Sequence, residues 1–169
     1  KLCLVQTPHF FINPTPIEKN LETHRHSPHE NEMFYGAVQL GLDLWNSAFF
    51  CGSAALLRRS ALMRIGGMAR DTVTEDAETS LALHSRGYNS IYLNKPMSMG
   101  LSPESFEGFI LQRSRWAQGM TQIMLLKNPL RRKGLKVSQR VCYFNLCLFW
   151  FFGFARVIFF VSPLMFLFF

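Results

Sequence analysis

The chain has 169 residues, enough to bury one core, and 18 Lys and Arg against 11 Asp and Glu give it a net charge of +7 at pH 7. Placement argues against nucleic acid as the reason for that excess: Arg131, Arg132, Lys133, Lys136 and Arg140 stand just ahead of an apolar run, where phosphate headgroups or a phosphorylated substrate fit better. The run itself, Leu146 to Phe169, is interrupted only by Arg156 and Ser162, is long enough to cross a bilayer and lacks a cleavage-site pattern, which excludes a wholly soluble domain.

In chain order, Lys1 to Val5 reads as a buried strand entered partway through a fold. Gln6-Thr7-Pro8-His9-Phe10-Phe11 follows its end, where open α/β sheets place binding groups. His9 has two readings there, a substrate hydrogen bond or a structural histidine beside two phenylalanines. Asn13-Pro14-Thr15-Pro16 is a turn, since paired prolines leave few donors for a ladder. His24, His26 and His29, near Glu30 and Glu32, read as a polar loop, because their spacing fits no helical or zinc-finger arrangement and Pro28 interrupts it. Asn31 is placed to cap a helix over Glu32 to Trp45. Phe49-Phe50-Cys51-Gly52-Ser53-Ala54-Ala55 then passes abruptly from bulky to small residues, which lets backbone approach a ligand. Leu56 to Ile65 predicts a short strand and helix, stopped by Gly66-Gly67. Thr72 or Thr74 is expected to cap a helix running to His84, with Glu75 and Asp76 in its first turn. Acids belong at helix starts in any case, but a carboxylate fixed there and facing a cleft is also a general base for a sugar hydroxyl.

Asn89 to Leu93 predicts a further strand, and Ser102-Pro103 the cap and first position of a helix reaching about Leu126. Spacings of three and four gather Gln112, Arg115 and Trp116 on one side of it. Gly108 and Gly119, without side chains above and below, leave room on that side for something bulky. A flat ring beside a guanidinium suits a sugar on the indole and a phosphate on the arginine; an ordinary amphipathic helix with a buried Trp is the plainer reading. Val137 to Tyr143, with basic residues ahead of it, is expected to lie along a membrane surface, and the basic flank to be cytoplasmic. Cys3, Cys51, Cys142 and Cys147 form no Cys-x-x-Cys pair, so reduced thiols are expected, with neither a disulfide nor a zinc site.

Three short motifs in this order carry a family resemblance: Phe49-Phe50-Cys51-Gly52-Ser53, Thr74-Glu75-Asp76 and Gln112-Arg113-Ser114-Arg115-Trp116. Supported by Gln6 to Phe11 and by Trp116-Ala117-Gln118-Gly119-Met120, they make the chain resemble bacterial cellulose synthase catalytic subunits, which are processive, membrane-embedded family 2 glycosyltransferases. The resemblance implies an α/β fold. Residues 1–128 would be the C-terminal half of a GT-A type domain, 129–145 a basic amphipathic interfacial helix and 146–169 a transmembrane helix. It implies a β-1,4-glucan synthase that transfers glucose from UDP-glucose to the 4-hydroxyl of a growing glucan with inversion and exports the product. Asp76 would be the base; Thr74, Glu75, Trp116 and the Phe49, Phe50, Cys51, Gly52, Ser53 loop would bind acceptor, with Trp116 as stacking floor; Arg115, Gln112 and His9 would serve the donor diphosphate. Mg2+ or Mn2+ is implied, with its ligands in an Asp-x-Asp motif ahead of Lys1 and none in this chain. A bacterial inner membrane, a cytoplasmic soluble part, a periplasmic partner subunit and cyclic di-GMP are implied too, and no nucleic acid. On this reading the chain is a segment of a larger enzyme, inert alone. Synthases of curdlan, chitin or hyaluronan, and a non-enzymatic membrane scaffold, are the alternatives; the acidic motif together with the Phe49 to Ser53 loop favours a glucan.

Overall fold

A computed structural model describes residues 1–167, so Phe168 and Phe169 of the apolar run lie outside the described residues. The central sheet has the order β3-β1-β4, with β1 at Leu2–Gln6, β3 at Ala55–Leu57 and β4 at Asn89–Tyr92. β3 runs antiparallel to β1, pairing Leu57 with Leu4, and β4 runs parallel, pairing Ile91 with Val5. A parallel pair needs a long crossover, and the chain between β1 and β4 supplies it together with two of the three motifs. The predicted strands at residues 1–5 and 89–93 are therefore present, each within a residue or so.

Two more strands were not foreseen. β2 (His9–Phe11) and β5 (Ser98–Gly100) form a separate parallel ladder, His9 opposite Ser98 and Phe11 opposite Gly100. Pro8 and Pro96 each withhold an N–H, which interrupts β1 and β4 before these continuations. The segment after β1 is thus strand rather than open loop. Thr15 also starts a helix that the paired prolines hid: α1 (Pro16–Asn20) has a capping box in which the Thr15 hydroxyl and Glu18 carboxylate satisfy each other's backbone N–H.

The helix expected over Glu32 to Trp45 is a wide π-turn, Phe34–Val38, leading into α2, Gln39–Leu44. Asn31 contributes its carbonyl, which accepts from the Tyr35 N–H at 3.0 Å, where a side-chain cap was expected. After α3 (Arg59–Arg64) comes α4 (Glu75–Ser85). Neither threonine caps α4. Thr74 holds the cap position without a side-chain bond to the helix, while Asp76 Oδ1 accepts from the Ala77 N–H at 2.7 Å and Glu78 Oε2 from the Thr72 N–H at 3.0 Å. The carboxylates of the first turn outcompete the hydroxyls because a charged acceptor bonds an amide more strongly.

α5 spans Phe106–Gln122 and ends in a π-turn, Ile123–Lys127. Its cap is Ser105, whose Oγ accepts from the Gly108 N–H at 3.1 Å, and not Ser102 as the Ser-Pro pair predicts. Ser102 is buried and tied to Asn13, donating its N–H to Oδ1 at 2.7 Å and accepting from Nδ2 on its carbonyl at 3.0 Å. Tertiary bonding removes it from the helix.

Two cores meet at residues 49 and 50. Phe49 packs with Leu42, Ala77, Leu81, Met120, Ile123, Leu135, Tyr143 and Cys147 from the helices, and Phe50 with Cys3, Leu4, Ala61 and Leu83 against the sheet. Consecutive side chains thus enter different cores, so one dipeptide pins the chain between both layers. α6 (Val137–Leu148) joins the helical core through Tyr143 and Cys147, then continues through a tight turn at Phe149–Phe151 into α7 (Phe152–Val161). Together, Val137–Phe166 form a 30-residue helix long and apolar enough to cross a membrane. Its outer half carries exposed Phe154, Val157, Ile158, Phe159 and Phe160, which a soluble core helix would bury. The four cysteines are free thiols.

Candidate active site

One cleft of about 370 Å³ draws all three motifs together, with Cys51, Gly52, Thr74, Glu75, Asp76, Gln112, Arg115 and Trp116 among its lining residues. The first wall is the turn after Phe50. Gly52 at φ 80 and Ala54 at φ 54 take left-handed backbone, so the chain reverses within a few residues. Gln6, wholly buried, clamps this turn: its Oε1 accepts from the Cys51 N–H at 3.0 Å, and its Nε2 donates to the Ser53 carbonyl at 2.9 Å. Gln39, also buried, donates to the Phe49 carbonyl at 3.3 Å and to Cys51 Sγ at 3.0 Å. A lone amide inside the apolar strand Leu2 to Val5 and its successor was the available signal for Gln6.

The second wall is the start of α4. A Cβ placed on Gly52 would lie 3.4 Å from Asp76 Oδ2, so the glycine turn and the carboxylate face each other closely. Burial, opposed by the Ala77 N–H and reinforced by the adjacent Glu75 charge, lifts the Asp76 carboxyl from 3.8 to about 6. It is therefore ionised near neutral pH yet basic enough to take a proton. Burial likewise pushes the Cys51 thiol far up, with the Asp76 charge adding to it, so no thiolate forms there at neutral pH.

The third wall is α5. Gln112, Arg115 and Trp116 share one face, as the spacing predicts, and Leu111 and Gly108 extend it. Arg113 is held elsewhere: its guanidinium sits 4.9 Å from the rings of both Phe109 and Trp116 and pairs with Glu30 at 2.8 Å. The histidine-rich loop thereby braces the indole from behind. Trp116 also meets Trp150 edge to face, with centroids 6.4 Å apart, where the helix leaves the core toward its exposed apolar half.

The expected room at Gly119 is taken up. A methyl there would lie 2.7 Å from the Thr74 backbone nitrogen, so the glycine admits the acidic loop and not a ligand. Phe49, Phe50, Ser53 and His9 also lie outside the cleft lining. The two phenylalanines are buried in the cores. His9 Nε2 lies 3.0 Å from the Ser53 carbonyl and 3.1 Å from its hydroxyl, with Nδ1 2.9 Å from the Tyr35 hydroxyl.

A larger depression of about 630 Å³ is lined by Arg86, Lys127, Arg131, Arg132 and Lys133. It offers cations without a base or a platform, and Lys127 is already bound to Asp71 and Glu78.

The chain is similar to known proteins along nearly its whole length. The family model described as glycosyl transferase family group 2 matches residues 1–169. A protein of Pseudomonas fluorescens named cellulose synthase catalytic subunit, UDP-forming, is 54% identical over 167 residues, covering 99% of this chain and 23% of its own. Its namesake from Xanthomonas axonopodis is 53% identical over 94% of this chain and 22% of its own. Cellulose synthase 1 catalytic subunit of Komagataeibacter xylinus is 48% identical over 99% and 23%. The chain thus spans less than a quarter of the length of these relatives.

Proposed function

The chain belongs to glycosyl transferase family group 2, and from that footing we propose that it is the acceptor side of a processive β-1,4-glucan synthase, a segment of a longer membrane protein. The observation that carries this reading is the convergence of Asp76, Arg115, Gln112 and Trp116 on one cleft. A glucan's terminal sugar lies on the Trp116 face with its 4-hydroxyl toward Asp76, and Thr74 and Glu75 line its position beside the Cys51–Gly52 turn. The carboxylate takes the hydroxyl proton as O4 attacks the anomeric carbon of UDP-glucose from the side opposite the diphosphate. The carbon to diphosphate-oxygen bond breaks, UDP leaves with the electron pair, and the configuration inverts. Arg115, with Gln112 alongside, offsets the charge gathering on the leaving group. Phe49, Phe50, Ser53 and His9 hold the turn in place.

The divalent metal that such chemistry implies does not fit the residues present. Among the described residues no group of three or more His, Cys, Asp or Glu is placed to hold one, and the cleft's carboxylates are Glu75 and Asp76, assigned to the acceptor. Mg2+ or Mn2+ is accordingly assigned to ligands outside this chain. In the same proposal residues 1–128 are the C-terminal half of a GT-A type domain on the cytoplasmic side, and 129–145 are a basic segment near the membrane. Residues 146–169 cross the inner membrane, beside the export path. A periplasmic subunit and cyclic di-GMP would act on other parts of the protein.

The test uses the full-length protein in liposomes with labelled UDP-glucose. The expected product is a polymer that a β-1,4-glucanase digests, and Asp76→Asn is expected to reduce synthesis by on the order of 10²–10⁴-fold with UDP binding nearly intact. A product of other linkage or sugar would reassign the substrate. Synthesis retained above a few per cent of the parent rate in Asp76→Asn, on the order of what one positioned base supplies, would remove the base.

A further inference from the structure

The face of α5 that lines the cleft does not end at Trp116. Gln112, Arg115, Trp116, Gly119 and Gln122 follow one another at helical spacing, and the last two face protein instead of open space. Gln122 Oε1 accepts from the Val73 N–H at 2.9 Å. Gly119 admits the Thr74 backbone nitrogen to a distance at which a methyl would stand 2.7 Å away. One turn further on, the Lys127 ammonium pairs with Glu78 at 3.0 Å and with Asp71, while Glu78 Oε2 accepts from the Thr72 N–H at 3.0 Å. The ion pairs raise the affinity of Lys127 for its proton, so this anchor stays charged. Three successive residues ahead of Glu75 are therefore held against α5 or against the carboxylate that Lys127, in the turn after α5, pairs with.

We propose that Gln122 is a positioning residue for the reaction: through Val73 it sets the distance between the Asp76 base and the Trp116 and Arg115 side chains carried on the same helix. This rests on the assignment of Asp76 as acceptor base. The reason for a side-chain link is geometric. Asp76 belongs to α4, whereas the sugar platform belongs to α5, and the two helices are joined through residues 86–105, a chain of twenty residues that includes β4 and β5. Only a direct contact keeps base and platform in register, and a displacement of about 1 Å in such a register is enough to cost on the order of 100-fold in rate. Gln122 bonds a backbone amide, which fixes the loop without adding a charge beside the base.

The experiment compares Gln122→Met, which keeps length and volume but removes the acceptor, with Gln122→Glu, which restores an oxygen. Both are made in the full-length protein in liposomes, beside Asp76→Asn. Gln122→Met is expected to lower kcat by about 10–100-fold, with KM for UDP-glucose within about twofold. The acid limb of its pH profile is expected to move to lower pH as Asp76 gains water. Gln122→Glu restores the acceptor but adds a charge near the base, so it is expected to recover part of kcat. Should Gln122→Met not accumulate, Gly119→Ala, which wedges Thr74 away from α5, is read by the same split and is expected to give the same loss. Wild-type kcat in either variant overturns the proposal. So does a loss in which the acid limb stays put and glutamate gives no recovery, since a smaller active fraction lowers kcat without moving the pH profile. Failure of the base assignment shows separately, as synthesis retained by Asp76→Asn.

Discussion

As the proposed base, Asp76 joins two opposed needs in one side chain. It must be ionised to accept a proton and buried enough to hold it, and burial places its titration at about 6. Activity that depends on the ionised form is present above that value and is lost as pH falls through it, so kcat/KM is expected to drop about tenfold per unit below pH 6. A pH profile of synthesis checks this, and a limb near pH 4 would mean an exposed carboxylate. The stability linkage has the opposite sign. A raised carboxyl favours the folded state most below its ordinary value of 3.8, and that advantage disappears as pH rises toward 6. Asp76→Asn should therefore leave the thermal midpoint at pH 7.5 unchanged or higher while synthesis is lost. For Trp116 as the proposed acceptor platform, the needed property is a flat apolar face, so Phe or Tyr is expected to keep part of the elongation rate that Ala loses. Equal polymer yields from the Ala and Phe variants would show that stacking is not its role.

At the scale of elements, the site depends on where helices are pinned to loops. Gly134 is one such pin: at φ 87 it carries backbone that L residues avoid, and a Cβ there would come within 2.9 Å of the Ser85 carbonyl carbon at the end of α4. Gly134→Ala is expected to cost at least about 1–2 kcal/mol from the left-handed backbone alone, read as a lowered unfolding midpoint. An unchanged midpoint would mean that the loop moves freely off α4. Arg156, within α7, lies over the ring of Phe152 one turn earlier, 4.9 Å from its centroid. A charge at mid-span facing lipid costs about 2.5–3.5 kcal/mol on insertion scales, so a cysteine at position 156 is expected to react with water-borne reagents. Labelling by lipid-phase reagents alone would place it against the acyl chains.

For the molecule as a whole, the long apolar helix is bonded into the α/β core and not merely tethered to it. His84 on α4 is 1% exposed, with Nδ1 2.8 Å from the Tyr143 hydroxyl on α6 and Nε2 3.0 Å from the Ser90 hydroxyl on β4. Burial lowers this imidazole to about 4, so it stays neutral and joins three elements. Tyr143→Phe leaves a ring nitrogen buried without a partner, an expected loss of about 1–3 kcal/mol. Thermal unfolding of the full-length protein in detergent measures it, and an unchanged midpoint would remove the link. Because the folded value is depressed, the stability His84 supplies is full above its ordinary 6.5 and is lost as pH falls toward 4.

The sequence by itself determined the features that the backbone's own period sets. Gln112, Arg115 and Trp116 share a face because a helix repeats every 3.6 residues. Glu75 and Asp76 fall in a first turn because acids suit that end, and the apolar run crosses or leaves the core because nothing polar interrupts it for long. Tertiary structure decided which of those faces meet. Gln6 reaches Cys51 across 45 residues, Gly119 receives Thr74 rather than a ligand, and Ser102 is drawn from capping by Asn13. The strands β2 and β5, three residues each between prolines, exist only as partners of one another. In each of these cases a residue's local preference was weaker than a hydrogen bond or a contact made by a distant segment. Spacing along the chain carries the first kind of information, and only the packing of the whole carries the second.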